Sequence, residues 1–192
     1  MSDQDVNTPA MPSAPRVTPA GPRVLPTSPE ALFSILAHLG IAYQIYRHPP
    51  IFTVEEGVHL KVSIPGLHCR NLFLRDKKET MFLVVAGNNT TVDLKALADQ
   101  LGCGRLSFGS PERLWTYLGI TPGSVCPFCV INDKGHAVQV VLDARMMQAE
   151  AVCVHPLDNA MTVSLAPDDL LRFLAHTGHS PKILDLSGLT PT

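Results

Sequence analysis

The sequence predicts an α+β fold, a single mixed domain in which short helices flank one β-sheet. Three observations lead there. Apolar runs of strand length recur along the chain, separated by Gly, Pro, Asn and Asp turn residues. The helical patterns between them are short and do not alternate regularly with the strands, which argues against a βαβ repeat. Finally, 192 residues with 45% hydrophobic and 17% charged content suffice for one sizeable core. The net charge of -2 excludes a strongly basic binder that tracks a long duplex, but leaves room for recognition of a nucleic-acid end by a few cations. Five cysteines, an odd number, predict free thiols in a reducing cytoplasm. No apolar run reaches the ~20 residues of a membrane span.

Residues 1–28 carry Pro9, Pro12, Pro15, Pro19, Pro22 and Pro26 among small and polar residues, and are read as a disordered tail. The domain is expected over 29–186, with 187–192 as a short tail. Ser28-Pro29-Glu30 opens the first helix, because Ser caps and Pro suits the first helical position; Gly40 closes it. Ile41 to Tyr46 alternates as a strand, and His48-Pro49-Pro50 ends it. Thr53-Val54-Glu55-Glu56 has the spacing of a capping box and starts a short helix.

The stretch Leu67 to Asp76 organises the rest of the chain. Leu72, Phe73 and Leu74 read as a buried strand over Asn71–Arg75, with His68, Cys69 and Arg70 just before it. A polar cluster at the mouth of a buried strand is where a rigid scaffold can hold a site. A turn at Asp76–Glu79 returns the chain into a strand over Thr80–Ala86. Helices are expected from Asp93 and from Ser110-Pro111, with a short strand over Arg105–Phe108 between them. Val125–Ile131 reads as a strand, and Asn132-Asp133-Lys134-Gly135 as a hairpin turn into a strand over Val138–Leu142. Further strands are expected over Ala151–Val154 and Met161–Leu165, with a brief helical turn at Met146-Met147. Pro167 opens the last helix behind a weak cap, Ala166. The total is about seven strands, mostly joined by hairpins, and four or five helices.

Several residues carry candidate chemistry. Cys126-Pro127-Phe128-Cys129 has the spacing of a redox or zinc motif. A redox pair needs its first thiol at a helix N-terminus, whereas here the pair is read on a strand; two packed small side chains are the preferred reading. Zinc needs four ligands, which only Cys126, Cys129, Cys153 and His155 together could supply. His155, fixed before Pro156 in a loop, either bonds to backbone or faces a pocket. Gly123 and Ser124 come after a Pro turn, and their consecutive N–H groups could hold an oxyanion. Ser124 has no local partner that would make it a nucleophile.

Five ordered blocks resemble one family: Phe52-Thr53-Val54-Glu55-Glu56, His68 to Asp76, Arg105 to Glu112, Thr121 to Val125, and His155 to Asn159. Together they are similar to the free-standing prolyl-tRNA editing proteins of the YbaK/ProX type, with the Ala-tRNA(Pro) deacylase subgroup nearest. The resemblance covers roughly residues 28–186. It implies a barrel-like mixed sheet with a cleft, and hydrolysis of the ester that links a wrong amino acid to the tRNA 3′ adenosine. It implies a catalytic set of Arg70, Gly123, Ser124 and His155. It implies substrate contacts from Phe52, Thr53, His68, Asn71, Cys126, Pro127, Phe128 and Asn159. No metal or cofactor is called for. The implied partner is the acceptor end of aminoacylated tRNA(Pro), with prolyl-tRNA synthetase as a candidate second partner and no membrane. The family pattern carries Lys where this chain has Arg70, and commonly Ser or Thr where it has Cys126. Arg keeps the charge but hardly ever loses a proton. A non-catalytic aminoacyl-tRNA or synthetase binder, motivated by Arg70, and a small zinc protein are the competing readings.

Overall fold

The computed structural model describes residues 23–50 and 63–187. The helix and the two site residues expected around Phe52 and Thr53 lie outside the described residues. Helix α1 (Pro29–His38) starts where expected, with the Ser28 hydroxyl accepting the Ala31 amide at 3.2 Å. Ordered structure reaches further back than the expected boundary at residue 28. The Arg23 guanidinium lies 5.0 Å from the Trp115 ring, Leu25 packs on the core, and the Thr27 hydroxyl donates to Asn132 at 2.7 Å.

Strand β1 (Tyr43–Arg47) leads towards β2 (Leu67–Arg75), which turns through Asp76 into β3 (Met81–Gly87). The Asp76 carboxylate makes this turn by accepting the amides of Lys78 and Thr80. Helix α2 (Leu94–Leu101), capped by Asp93 and closed by Gly102, precedes the two-residue strand β4 (Ser107–Phe108) and helix α3 (Pro111–Leu118). At the end of α3, Gly119 has φ 57°, and an added Cβ would lie 2.6 Å from Pro26 Cγ. Both the left-handed backbone and the close approach of the N-terminal segment therefore require glycine. Strand β5 (Val138–Asp143), a 3₁₀ turn (Ala144–Gln148), β6 (Val152–Val154), β7 (Met161–Leu165), α4 (Pro167–His176) and β8 (Lys182–Leu184) complete the chain. Ala166 makes no side-chain cap on α4, as its chemistry dictates.

Among the described residues, eight strands run in the order β1-β7-β6-β2-β3-β5-β8, with β4 added to β2. Three pairings, β2 with β6, β3 with β5, and β5 with β8, are parallel, so hairpins do not dominate as expected. One face of the sheet carries the main core, in which Phe128 packs edge-on to Phe173 with ring centroids 4.9 Å apart. The other face, over β2, β3 and β5, carries a smaller core closed by Leu97 and Ala98 of α2.

Two expectations are overturned. Residues Pro127–Asn132 form a 3₁₀ helix, not a strand, and so no hairpin comes after them. Pro127 sits at its first position, and a short, wholly buried apolar run cannot be told from a strand by periodicity. Asp133 then starts β5 instead of a hairpin, accepting the amides of Ala137 at 3.0 Å and Val138 at 2.7 Å and the His179 Nε2 at 3.2 Å. In addition, β2 begins at Leu67, so His68, Cys69 and Arg70 lie within the strand and not before it.

Candidate active site

The site is set by a break in the ladder along one edge of β2. β6 joins that edge only at Leu67↔Val152 and His68↔Cys153, and β4 only at Leu74↔Phe108 and Arg75↔Ser107. Residues 69–73 lie between, with no strand on that edge among the described residues. The opposite edge is paired with β3 from Cys69 to Arg75. The parallel pairing with β6 ends at His68↔Cys153, and His155 comes two residues further on, in the loop after β6. Side chains alternate along a strand, so His68 and Arg70 share one face of β2, with Cys153 paired beside His68. Cys69, Asn71 and Phe73 share the other, where Cys69 and Phe73 pack into the main core. Arg70 and Asn71 therefore flank the same opening from opposite faces.

His155 is held by a hydrogen bond from Nδ1 to the Met161 carbonyl at 2.8 Å. A carbonyl only accepts, so Nδ1 carries the proton and the neutral ring presents a lone pair at Nε2. Burial first of all lowers the His155 pKa; the nearby His48 and His68 charges lower it further, against the Met161 carbonyl and Asp158. In the sequence His48 reads only as the residue that ends a strand. In the structure its ring lies 6.4 Å from that of His155 and bonds the Thr162 hydroxyl at 3.0 Å and the Pro49 carbonyl at 2.9 Å. His68 Nε2 donates to the Ile64 carbonyl at 2.9 Å. Arg70 has no ion pair among the described residues. The Asn71 Oδ1 atom is buried and unpartnered, a condition that costs about 1–3 kcal/mol in a folded protein.

The loop after His155 is tied to the segment at 121–126. Leu157 of that loop and Cys126 both pack in the main core, and the Ala160 amide donates to the Asp158 carboxylate at 2.8 Å. The Ser124 amide donates to the Thr121 carbonyl at 3.2 Å, closing a turn; this leaves Gly123 N–H as the candidate oxyanion donor of the pair. Cys126, Pro127 and Phe128 are buried, Cys126 and Phe128 in the main core. The loop carries Asn159, which is half-buried. Cys129 donates to the Cys126 carbonyl at 2.7 Å, and burial pushes its thiol well up. All five cysteines are free. The zinc reading fails on geometry: among the described residues no three His, Cys, Asp or Glu side chains group as ligands, and Cys153 faces away from the core that holds Cys126 and Cys129.

Residues 48–173 match the aminoacyl-tRNA editing domain. This chain belongs to that family. Prolyl-tRNA editing protein ProX of Acetoanaerobium sticklandii is 39% identical over 158 residues, covering 82% of this chain and 96% of ProX. The prolyl-tRNA synthetase associated domain-containing protein 1 of Bos taurus is 38% identical over 160 residues, covering 81% and 93%. Among solved structures, a proposed trans-editing enzyme for prolyl tRNA synthetase superposes with a TM-score of 0.64 at 19% identity, covering 83% of this chain and 96% of that one. That likeness establishes the mixed α/β fold of this editing domain. No helix among the described residues is long and apolar enough to cross a membrane.

Proposed function

We propose that this editing domain is a trans-acting hydrolase that deacylates mischarged tRNA(Pro), with Ala-tRNA(Pro) its favoured substrate. The observation that carries the reading is His155, whose Nδ1 is fixed on the Met161 carbonyl so that the neutral ring presents Nε2, in a chain whose β2 edge is unpaired at Arg70. The relatives named for prolyl-tRNA editing support the same reading. A synthetase pocket shaped for proline cannot strongly reject alanine, because a few missing methylenes are worth only ~1–3 kcal/mol. A second, smaller pocket accepts alanine and excludes proline by size.

The chemistry asks little of the protein. Water adds to the ester carbonyl, and the bond to the ribose oxygen then breaks, releasing alanine and a free tRNA 3′ end. His155 Nε2 accepts the hydrogen bond of the water or of the terminal ribose. Its lowered pKa keeps it unprotonated for that role. Arg70 holds the tRNA 3′ end by charge, a role that does not need a neutral amine. Gly123 N–H meets the developing oxyanion. His68, Asn71 and Asn159 contact the substrate around the opening, Phe52 and Thr53 complete the contacts, and Cys126, Pro127 and Phe128 set the pocket from the core side. The partner is the acceptor end of tRNA(Pro), with prolyl-tRNA synthetase supplying the mischarged substrate, in the cytoplasm.

Deacylation of Ala-tRNA(Pro) beside Pro-tRNA(Pro) tests this. Wild type is expected to hydrolyse the alanyl ester preferentially, and Arg70→Lys to retain activity while Arg70→Ala loses it. No turnover of Ala-, Ser-, Thr- or Cys-charged tRNA by wild type would overturn the enzyme reading. That result, with tRNA binding intact, is the outcome the Arg-for-Lys difference would favour, and would make this chain a non-catalytic binder.

A further inference from the structure

Among the described residues, four large hydrophobic side chains stand exposed, and Phe108, 64% open to solvent, is the aromatic one. Single exposed apolar side chains are common on protein surfaces; what sets Phe108 apart is where it stands. It ends the two-residue strand β4, on the side that borders the unpaired stretch 69–73 of β2. Directly paired residues of an antiparallel ladder point to the same face, and Phe108 pairs with Leu74. Arg70, Leu72 and Leu74 alternate onto that face of β2, opposite Ala86, Val84 and Phe82 of β3, which line the smaller core with Leu74. Phe108 and Arg70 therefore share a face. They are four residues apart along β2, about 13 Å at ~3.3 Å per residue.

The backbone under the ring is fixed on both sides. Phe108 is held by its pairing with β2, and the Gly109 amide donates to the Phe73 carbonyl at 2.9 Å. Gly109 lies so close to Phe73 that an added Cβ would be 2.5 Å from its Cδ1. A rigid, hydroxyl-free aromatic ring standing in solvent offers a flat apolar face and no hydrogen bond. Nucleobases stack on such faces whatever their sequence. Arg70, which has no ion pair among the described residues, supplies on the same face the positive charge that a phosphate backbone requires. A strand stacked at ~3.4 Å per nucleotide covers the distance between the two with a few nucleotides. We propose that Phe108 is a stacking platform for a base of the single-stranded 3′ end of the tRNA, one of the few nucleotides before the terminal adenosine. The platform holds the strand so that its last ribose reaches the opening at Arg70. The proposal rests on the tRNA-deacylase reading above and adds a binding residue outside the reacting centre.

The test uses uncharged tRNA(Pro) carrying the fluorescent base 2-aminopurine at each single-stranded 3′ position in turn, titrated with full-length wild type, Phe108→Ala and Phe108→Trp. At one position wild type should quench the fluorescence by stacking, Phe108→Ala should not, and Phe108→Trp should restore the quenching. Phe108→Ala should weaken binding about five- to a hundredfold. An abasic residue at that position should make wild type and Phe108→Ala bind alike. In deacylation of Ala-tRNA(Pro), Phe108→Ala should raise KM with kcat within about twofold, as loss of binding remote from the reacting bond does. Its melting temperature should match wild type, because the ring belongs to neither core. Equal tRNA affinity of wild type and Phe108→Ala would overturn the proposal and leave the ring to a protein partner. A loss that persists with abasic residues at every single-stranded 3′ position would overturn it as well. Quenching by wild type without hydrolysis of Ala-tRNA(Pro) would uphold the platform and overturn the deacylase reading; no binding of tRNA by wild type would overturn both.

Discussion

Replacing Asp133 by Ala should be among the most damaging single changes in this protein, although it lies outside the candidate site. Asp133 is 6% exposed and its partner His179 5%. The carboxylate accepts two backbone amides, from Ala137 and Val138, and the His179 ring nitrogen. His179 is held in turn through Nδ1 to the Thr177 hydroxyl at 3.1 Å, and that hydroxyl donates to the Leu174 carbonyl at 2.8 Å. The network thus ties the start of β5 to the end of α4. Truncation leaves two buried donors, the Val138 amide and His179 Nε2, and the part-buried Ala137 amide without their acceptor. Removing one partner of a buried pair costs about 3–5 kcal/mol, a large part of the roughly 5–15 kcal/mol that holds a domain together. At about 2–4 °C per kcal/mol for a domain of this size, the melting temperature should drop by roughly 6–20 °C. Thermal unfolding monitored by circular dichroism measures it. The deacylation rate at a temperature where the variant is still folded should stay near that of wild type. A drop of less than 2 °C would refute the reasoning, because it would mean that the amides and His179 find other acceptors.

The geometry fixes three further outcomes. Gly109→Ala places a Cβ 2.5 Å from Phe73 Cδ1 and 2.6 Å from Cε1, and overpacking of that kind should cost about 1–3 kcal/mol by denaturant titration. The pKa of His155 is lowered, by burial first, so the deacylation rate should hold level as pH falls past the ordinary histidine value of about 6.5 and decline only below it; His48→Gln removes one lowering charge and should move that decline to higher pH. Burial alone would raise the Asp143 pKa, but the Arg145 side chain and amide, the Thr90 hydroxyl and the Gly87 amide hold it below its ordinary value. A carboxylate depressed on folding stabilises fully above its unfolded pKa of about 3.9 and loses that contribution as pH falls through the folded value; Asp143→Asn should therefore weaken the protein at pH 7 and flatten its acid unfolding in that range.

Local chemistry made much of this fold legible. Ser28, Asp93 and Ser110 each cap the helix that their residue type announced, and Gly102 and Gly119 end the helices before them. The segment Pro127–Asn132 was not legible, because a buried apolar run of six reads equally as a strand, and only Asp133 and its partners decide. Parallel pairing was hidden for a related reason: which strand meets β3 or β5 depends on the return of distant segments, which no local pattern records. Within the site, Arg70, Asn71 and His155 were visible as polar residues at a strand and a loop. The division of Arg70 and Asn71 between two faces emerges only once β2 is seen to begin at Leu67. His48 carried a signal, a histidine before two prolines, but its relation to His155 comes from the pairing of β1 with β7.

The proposed hydrolysis of the alanyl ester turns on the neutral His155 imidazole. Single-turnover release of alanine from Ala-tRNA(Pro), with Pro-tRNA(Pro) in parallel, measures this for wild type and His155→Ala. Wild type should release alanine rapidly and proline not at all, and removing the imidazole should slow alanine release about 10²–10⁴-fold. Equal rates for wild type and His155→Ala would contradict the role assigned to His155.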